Sequence, residues 1–178
     1  RLLQAHPLHQ AFEPLPGWRA RFYGAGHILG AASVLLEVGG RRILFSGDLG
    51  RDDDPLMHPP ERPPAADVVL IESTYGDRRH ADVLMEDELA PLLSKLAARG
   101  GVAVVPVFAV GRAQQLQLAI TRLKEAGHIP ATLPVFLDSP MAVSATRLLG
   151  EHLGAHRLSH AELAQMAILL FGEGLVSA

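Results

Sequence analysis

A pair of apolar runs separated by two glycines constrains the fold of this chain more than any other feature. Residues 33–38 and 41–46 flank Gly39 and Gly40, and adjacent glycines between such runs are typical of a β-hairpin. His27 precedes the first run, and Asp48 follows the second. Because an antiparallel hairpin returns the chain to the edge it left, we expect the imidazole and the carboxylate at the same edge of one sheet.

Glycines border both His27 and Asp48, and glycine lets a backbone approach a ligand closely. A neutral imidazole and a carboxylate that converge on one point form half of a site for a borderline divalent metal such as zinc. Ordinary turn chemistry uses the same residue types, since a histidine can bond a turn carbonyl and an aspartate can cap a loop. Spacing alone leaves both interpretations open.

The composition limits the classes of protein to which this chain can belong. Its 178 residues suffice for one domain or two small lobes, and 48% apolar with 20% charged residues is typical of a soluble globular protein. The net charge of −3 excludes a general basic field, so nucleic acid would have to be bound by a local groove or by a metal. With no cysteine, any metal must be held by histidines and carboxylates.

The apolar runs also bear on location. None approaches the roughly 20 residues of a membrane span, and the first residues lack the apolar core of a signal peptide. We therefore expect a cytoplasmic protein that makes no membrane contact. The chain does not begin with Met, which suggests a fragment or a processed chain.

Downstream of the hairpin, nearly continuous apolar runs alternate with helical patterns. Such runs predict strands buried on both faces, here over residues 67–72, 102–108 and 134–138. Helical spacing predicts helices over residues 81–98, 111–126 and 161–171 and from Pro140 onward. Pro91 is expected to kink or divide the first helix. Strand, helix and strand in succession indicate a parallel sheet with a right-handed crossover over residues 102–150.

Two polar residues stand where predicted strands end. Glu72 follows one strand, and α/β folds place working residues at that end. Its alternative roles are pairing with a nearby arginine or capping of the next helix. Ser139 stands between another strand and a helix, a position that suits a phosphate and equally suits simple capping.

Two further polar groups are predicted to be solvated surface. Asp52, Asp53 and Asp54 lie in a long proline-rich loop that should cover the sheet edge. The last group is a histidine series at intervals of four, interrupted by a glycine, comprising His152, His156 and His160.

Several stretches, taken in order, resemble motifs of the metallo-β-lactamase superfamily and of its β-CASP branch of RNA-processing nucleases. Residues 25–32 and 45–51 resemble two of its metal motifs, and residues 71–80 are similar to the first β-CASP motif, whose acid would be Glu72. Residues 106–114 and 137–142 resemble the signature segments that begin the β-CASP lobe.

The resemblance implies an α/β fold made of two parts. Residues 1–100 would be the C-terminal portion of the metallo-β-lactamase core, a part of its αββα sandwich. Residues 101–178 would begin the β-CASP domain, a Rossmann-like parallel lobe.

The resemblance also implies a zinc-dependent hydrolase that cleaves RNA phosphodiester bonds, as an exonuclease or an endonuclease, with two Zn²⁺ in the complete site. His27 would bind one zinc, and Asp48 would bridge both. Glu72 would orient a β-CASP histidine that protonates the leaving oxygen. Single-stranded RNA would be the partner, and a homodimer is compatible with the resemblance.

Other residues are assigned less specific roles. His80 would be a polar residue near the cleft, and we expect Arg112 and Ser139 to contact the substrate. The family's His-x-His-x-Asp-His cluster is not in this sequence and is expected upstream of residue 1, with further histidines downstream of about residue 150. The chain would therefore be the centre of a longer enzyme. A non-catalytic β-CASP scaffold or RNA-binding fragment and another hydrolase of the superfamily are the alternatives.

Overall fold

One sheet occupies the first part of the chain, and helices make up the second, so the coarse prediction of a mixed α/β fold is confirmed. The computed structural model describes residues 3–79 and 83–171. The chain divides into two compact units, Arg1–Arg79 and His80–Ala178. The assignment of residues 1–100 and 101–178 to two family domains stays a prediction.

The first unit is a five-stranded sheet in which the strands follow one another in sequence order. Successive strands are antiparallel except the last pair, which is parallel. The strands are β1 (Ala11–Leu15), β2 (Trp18–Gly24), β3 (Ala32–Val38), β4 (Arg41–Phe45) and β5 (Val68–Leu70).

The predicted hairpin is present as β3 and β4. Val38 lies opposite Arg41, which leaves Gly39 and Gly40 as a two-residue turn with φ of 57° and 75°. Positive φ at both central residues is the geometry that favours glycine and matches the twist of the flanking strands. The two glycines that predict the hairpin are therefore the residues that its turn requires, because both positions have a positive φ.

One face of the sheet is apolar except for Arg41 at the start of β4, and we call it the apolar face. Paired positions and strand alternation place on it the side chains of Phe12, Ala20, Phe22, Val34, Leu36, Ile43, Phe45, Val68 and Leu70. Toward β5 this face is poorly covered, since Val68 is 50% exposed and Leu70 is 48% exposed. The opposite face carries the buried Tyr23, Ser33 and Leu35.

The prediction that residues 67–72 form a strand buried on both faces is wrong. β5 is only three residues long and about half exposed. It lies at the end of the strand order and pairs only with β4. A continuous apolar run therefore marks an edge strand here, because the burial of a strand depends on neighbours that the run itself does not encode.

The proline-rich loop docks beside the sheet, but one of its acids is not solvated. The N–H of Glu61 donates to the carbonyl of Gly24 at 2.9 Å, which holds the loop at the end of β2. Asp54 is buried, and its Oδ1 accepts hydrogen bonds from the N–H groups of Leu56 and Met57, both at 2.8 Å. The predicted solvation of the acidic run thus fails at Asp54, which organises a turn.

Helices form the second unit: α1 (Met85–Arg99), α2 (Arg112–Glu125), α3 (Pro140–Glu151) and α4 (His160–Phe171), with a short 3₁₀ turn at Leu153–Ala155. All four predicted helices are present, and α1 continues through Pro91 without being divided. A buried cluster between α1 and α2 holds them together, namely Leu93, Leu96, Ile120, Leu123 and Ile129.

The strands predicted at residues 102–108 and 134–138 are not formed, although both segments lie within the described residues 83–171. Val104 is 88% exposed, and Phe136 is 86% exposed. A parallel strand exists only when a neighbour completes its hydrogen bonds, and this unit has no paired strand in its described part. The predicted parallel sheet over residues 102–150 is therefore wrong for this structure.

The prediction of a solvated histidine series is also wrong at its centre. The 3₁₀ turn breaks the helical spacing, and His156 is only 3% exposed. Its Nδ1 accepts from the N–H of Leu158 at 3.1 Å, so its Nε2 is the donor to the carbonyl of Leu149 at 2.8 Å. His156 is a satisfied core histidine that connects the end of α3 to the segment before α4.

Candidate active site at one edge of the sheet

Three of the predicted site residues follow strands that run in the same direction. β2 and β4 are each antiparallel to β3, and β5 is parallel to β4, so the carboxyl ends of β2, β4 and β5 share one edge. His27 follows β2, Asp48 follows β4 and Glu72 follows β5. The topology therefore brings all three to the same edge, and the side chains of His27 and Asp48 are exposed there.

The His27 loop is a compact turn between β2 and β3. The N–H of Ala25 donates to the carbonyl of Ala31, and the N–H of Ala31 donates to the carbonyl of Ile28, both at 3.0 Å. Ala25 is fully buried beneath this turn. These bonds anchor the loop while leaving the imidazole of His27 accessible.

Ser46 fixes the start of the Asp48 loop by joining three strands. Its carbonyl accepts from the hydroxyl of Ser33 at 2.7 Å, and its N–H donates to the carbonyl of Leu70 at 2.9 Å. Its hydroxyl accepts from the N–H of Glu72 at 2.9 Å and donates to the carbonyl of Gly47 at 2.7 Å. Ser46 is not among the predicted site residues, although its place directly before Gly47 and Asp48 is a usable sequence signal.

The His27 and Asp48 loops are in direct backbone contact. The N–H of Gly50 donates to the carbonyl of Ala25 at 2.8 Å. A Cβ on Gly50 would overlap the carbonyl group of Gly26, so this approach is open only to glycine. The two loops consequently form one rigid corner of the sheet edge.

Glu72 is held against the Asp48 loop. Its Oε1 accepts from the N–H of Leu49 at 3.3 Å, and its Oε2 accepts from the N–H of Thr74 at 2.9 Å. These bonds, those from Thr74 first and then that from Leu49, lower the pKa of Glu72 below its ordinary value of about 4.5, and the nearby His27 lowers it slightly further. The carboxylate is therefore ionised at neutral pH and lies within electrostatic reach of the imidazole.

The remaining predicted site residues belong to the second unit. His80 lies outside the described residues. Arg112 is the exposed first residue of α2, and its Nη1 donates to Oε1 of Gln115 at 3.1 Å. Ser139 caps α3, with its Oγ accepting from the N–H of Ala142 at 3.2 Å. The capping role weighed for Ser139 is therefore present.

The donor set at the sheet edge fits part of a metal site. An accessible imidazole and an accessible carboxylate, on loops in mutual contact, are the oxygen and nitrogen donors that zinc accepts. Within residues 3–79 and 83–171, no three histidine, aspartate or glutamate side chains gather into a metal-binding group. His27 and Asp48 are thus at most two donors of a larger set.

Comparison with known proteins identifies relatives but no matching family model. The chain is 41% identical over 122 residues to ribonuclease TTHA0252 of Thermus thermophilus, which covers 68% of this chain and 28% of that protein. It is 36% identical over 144 residues to endoribonuclease YSH1 of Mycosarcoma maydis, and the match covers 80% of this chain and 16% of that protein. It is 34% identical over 157 residues to an RNase J-like protein of Methanocaldococcus jannaschii, and the match covers 86% of this chain and 37% of that protein.

The chain thus spans between 16% and 37% of the length of these curated relatives. No helix within the described residues is long and apolar enough to cross a membrane. The similarity extends over most of the chain. The chain therefore belongs to the metallo-β-lactamase superfamily, within its β-CASP family of RNA-processing nucleases.

Proposed function

We propose that this chain is part of a zinc-dependent hydrolase that cleaves the phosphodiester bonds of RNA, as an exonuclease or an endonuclease. One observation carries the proposal: His27, Asp48 and Glu72 follow three strands whose carboxyl ends share one sheet edge. Two of the relatives are named ribonuclease and endoribonuclease, which supports RNA as the substrate class. A cytoplasmic location, single-stranded RNA as the form bound, and homodimer formation stay predictions.

His27 and Asp48 are the residues that would hold metal. The contact between Gly50 and the backbone at Ala25 and Gly26 fixes their two loops together, so both donors are carried by one rigid corner. Zinc, two ions in the complete site, would supply a water of lowered pKa and positive charge for the phosphodiester oxygens. That charge would come from the metal because the chain itself carries a net charge of −3.

Glu72 acts as a fixed anion in this proposal. Because its pKa is lowered by hydrogen bonds from Thr74 and Leu49, it carries no proton at neutral pH and cannot itself protonate a leaving oxygen. It can accept a hydrogen bond from an imidazole N–H and favour the protonated form of that ring. This suits the role of orienting a histidine that serves as the general acid.

Arg112 and Ser139 would contact RNA phosphates from the second unit. Arg112 is exposed, and its guanidinium stays charged at any working pH. Ser139 uses its oxygen as an acceptor for Ala142, and a hydroxyl in that position still has a hydrogen to donate. His80 would be a polar residue near the cleft.

The apolar face supports the finer fold proposal for the first unit. A five-stranded sheet with one face that is apolar apart from Arg41 and is half exposed at its β5 end fits a layer of an αββα sandwich. Residues 1–100 would then be the C-terminal portion of the metallo-β-lactamase core. Residues 101–178 would begin a Rossmann-like β-CASP domain, in which the exposed apolar segments at 102–108 and 134–138 would be paired.

The proposal is tested with Asp48→Asn in the full-length protein that contains this chain. We expect metal-dependent cleavage of labelled single-stranded RNA to fall by more than about 100-fold, since even indirect partners of a metal are worth about 10–100-fold. Asp53→Asn is the matched control, because Asp53 lies in the following loop and pairs with Arg51 at 2.7 Å. Full activity in Asp48→Asn would refute the proposed role.

A further inference from the structure

Gln114 contacts both the loop that precedes Arg112 and the first turns of α3, which follow Ser139. It is in the first turn of α2 and only 2% exposed. We propose that Gln114 is a positioning residue that sets the spacing between Arg112 and Ser139. This inference rests on the proposed function, in which those two side chains contact RNA phosphates.

On one side, the Gln114 carboxamide holds the loop that leads into α2. Its Oε1 accepts from the N–H of Gly111 at 2.8 Å, and its Nε2 donates to the carbonyl of Ala109 at 3.1 Å. Gly111 has φ of 82°, so the loop makes a sharp turn directly before Arg112. The carboxamide thus fixes both ends of the turn that precedes the arginine.

On the other side, the same carboxamide holds the first turns of α3. Its Nε2 lies 3.2 Å from the carbonyl of Ala142 and 3.1 Å from Oγ1 of Thr146. The N–H of Ala142 is the group that bonds Oγ of Ser139. One residue, Ala142, therefore connects Gln114 to the serine cap.

A carboxamide is the side chain that can make this pair of connections. It combines an acceptor, used by Gly111, with two donor hydrogens, used by Ala109 and the α3 residues. A carboxylate lacks the donors, and a thioether of the same length has no donor and only a weak acceptor. All partners are in the second unit, and Ala142 and Thr146 are buried with Gln114. Water competes poorly for a network buried in this way.

The first test is Gln114→Met in the full-length protein, compared with Thr146→Val. Thr146→Val removes one partner of Gln114 but leaves its bonds to Ala109, Gly111 and Ala142, so it is the matched control for a loss of stability that leaves the carboxamide in place. For Gln114→Met we expect KM for single-stranded RNA to rise by about 10-fold with kcat within about twofold, because a tenfold loss of affinity corresponds to about one hydrogen bond to a charged group. Thr146→Val should leave KM unchanged.

The second readout is the salt dependence of binding to an uncleavable, phosphorothioate RNA. Arg112→Ala should reduce the slope of log Kd against log salt by about 0.7, the value for one phosphate contact on a single strand. Gln114→Met should reduce the slope in the same direction, and Thr146→Val should not.

The outcomes separate the two proposals. If Arg112→Ala changes neither KM nor the salt slope, the proposed phosphate contact fails. If Arg112→Ala weakens binding while a folded Gln114→Met does not, the positioning role of Gln114 is overturned. Gln114→Asn, whose carboxamide is one methylene too short, covers the case in which the methionine variant does not fold. An unchanged KM in that variant also overturns the inference.

Discussion

At the scale of single residues, the candidate site depends on glycine as much as on its titratable groups. The Gly50 backbone bonds Ala25 and leaves no room for a Cβ beside Gly26. Ser46 adds a buried hydroxyl that bonds the N–H of Glu72. Together these residues explain how loops from β2, β4 and β5 are held at one corner while His27 and Asp48 stay exposed.

Substitution of Gly50 by Ala should destabilise the protein, because the added Cβ must displace the Gly26 carbonyl. We expect a loss of about 1–3 kcal/mol in the free energy of unfolding, measured by urea denaturation. Gly150→Ala is the matched control. Gly150 lies inside α3 with open space around a Cβ, so alanine should stabilise by about 0.5–1 kcal/mol. An equal effect at both positions would contradict the close approach of the two loops.

Two buried threonines in the second unit should respond oppositely to valine. Oγ1 of Thr121 has no hydrogen-bond partner in the part of the chain that the structure describes, whereas Oγ1 of Thr146 bonds Gln114, Gln117 and Ala142. Thr121→Val should therefore raise the free energy of unfolding by about 1 kcal/mol, and Thr146→Val should lower it by about 1–3 kcal/mol. Thermal and urea unfolding of both variants would show whether the signs differ.

Some residues could be placed from the sequence, and others could not. His27 and Asp48 were placed at one sheet edge because a Gly-Gly hairpin determines where its two ends lie. Asp54 and His156 were predicted to be solvated, yet both are buried. Both bond backbone groups only two to seven residues away. Whether such a local turn is buried depends on what the rest of the fold packs over it, which residue type and spacing do not encode.

At the scale of elements, Glu72 connects the loop after β5 to the loop after β4. Its folded-state pKa is depressed, so the stability that it contributes is present above its unfolded pKa of about 4.5 and is lost as pH falls through the folded pKa. We expect Glu72→Gln to be less stable than the unmodified protein at pH 7. The difference between their urea midpoints should shrink as the pH is lowered below about 4.5. A difference that stays constant from pH 7 to pH 3 would refute the ionised link.

Elements with local signals were predicted well, and those that need partners were not. The helices α1 to α4 form where helical spacing indicated them, since their hydrogen bonds lie within the segment. The strands expected at residues 102–108 and 134–138 are absent from the described structure. A strand makes its backbone hydrogen bonds with a neighbouring strand. An apolar run therefore favours a strand, but the strand forms only where another strand is available to pair with it.

At the scale of the whole molecule, the proposed zinc chemistry needs more ligands than the two residues proposed for it. His27 and Asp48 are those two residues, and a complete zinc site takes three or four protein ligands. The chain spans between 16% and 37% of the length of the three curated relatives described above. Family membership was predictable because several short motifs stand in a fixed order. The complete set of metal ligands was not predictable from this sequence.

The most direct test of the central claim is the anomalous zinc signal in crystals of the full-length protein. The account predicts a zinc peak at the shared edge of β2, β4 and β5, bonded to a ring nitrogen of His27 and a carboxylate oxygen of Asp48 at about 2.0–2.2 Å. A zinc bound elsewhere, or an occupied site at that edge to which neither His27 nor Asp48 is bonded, would contradict it.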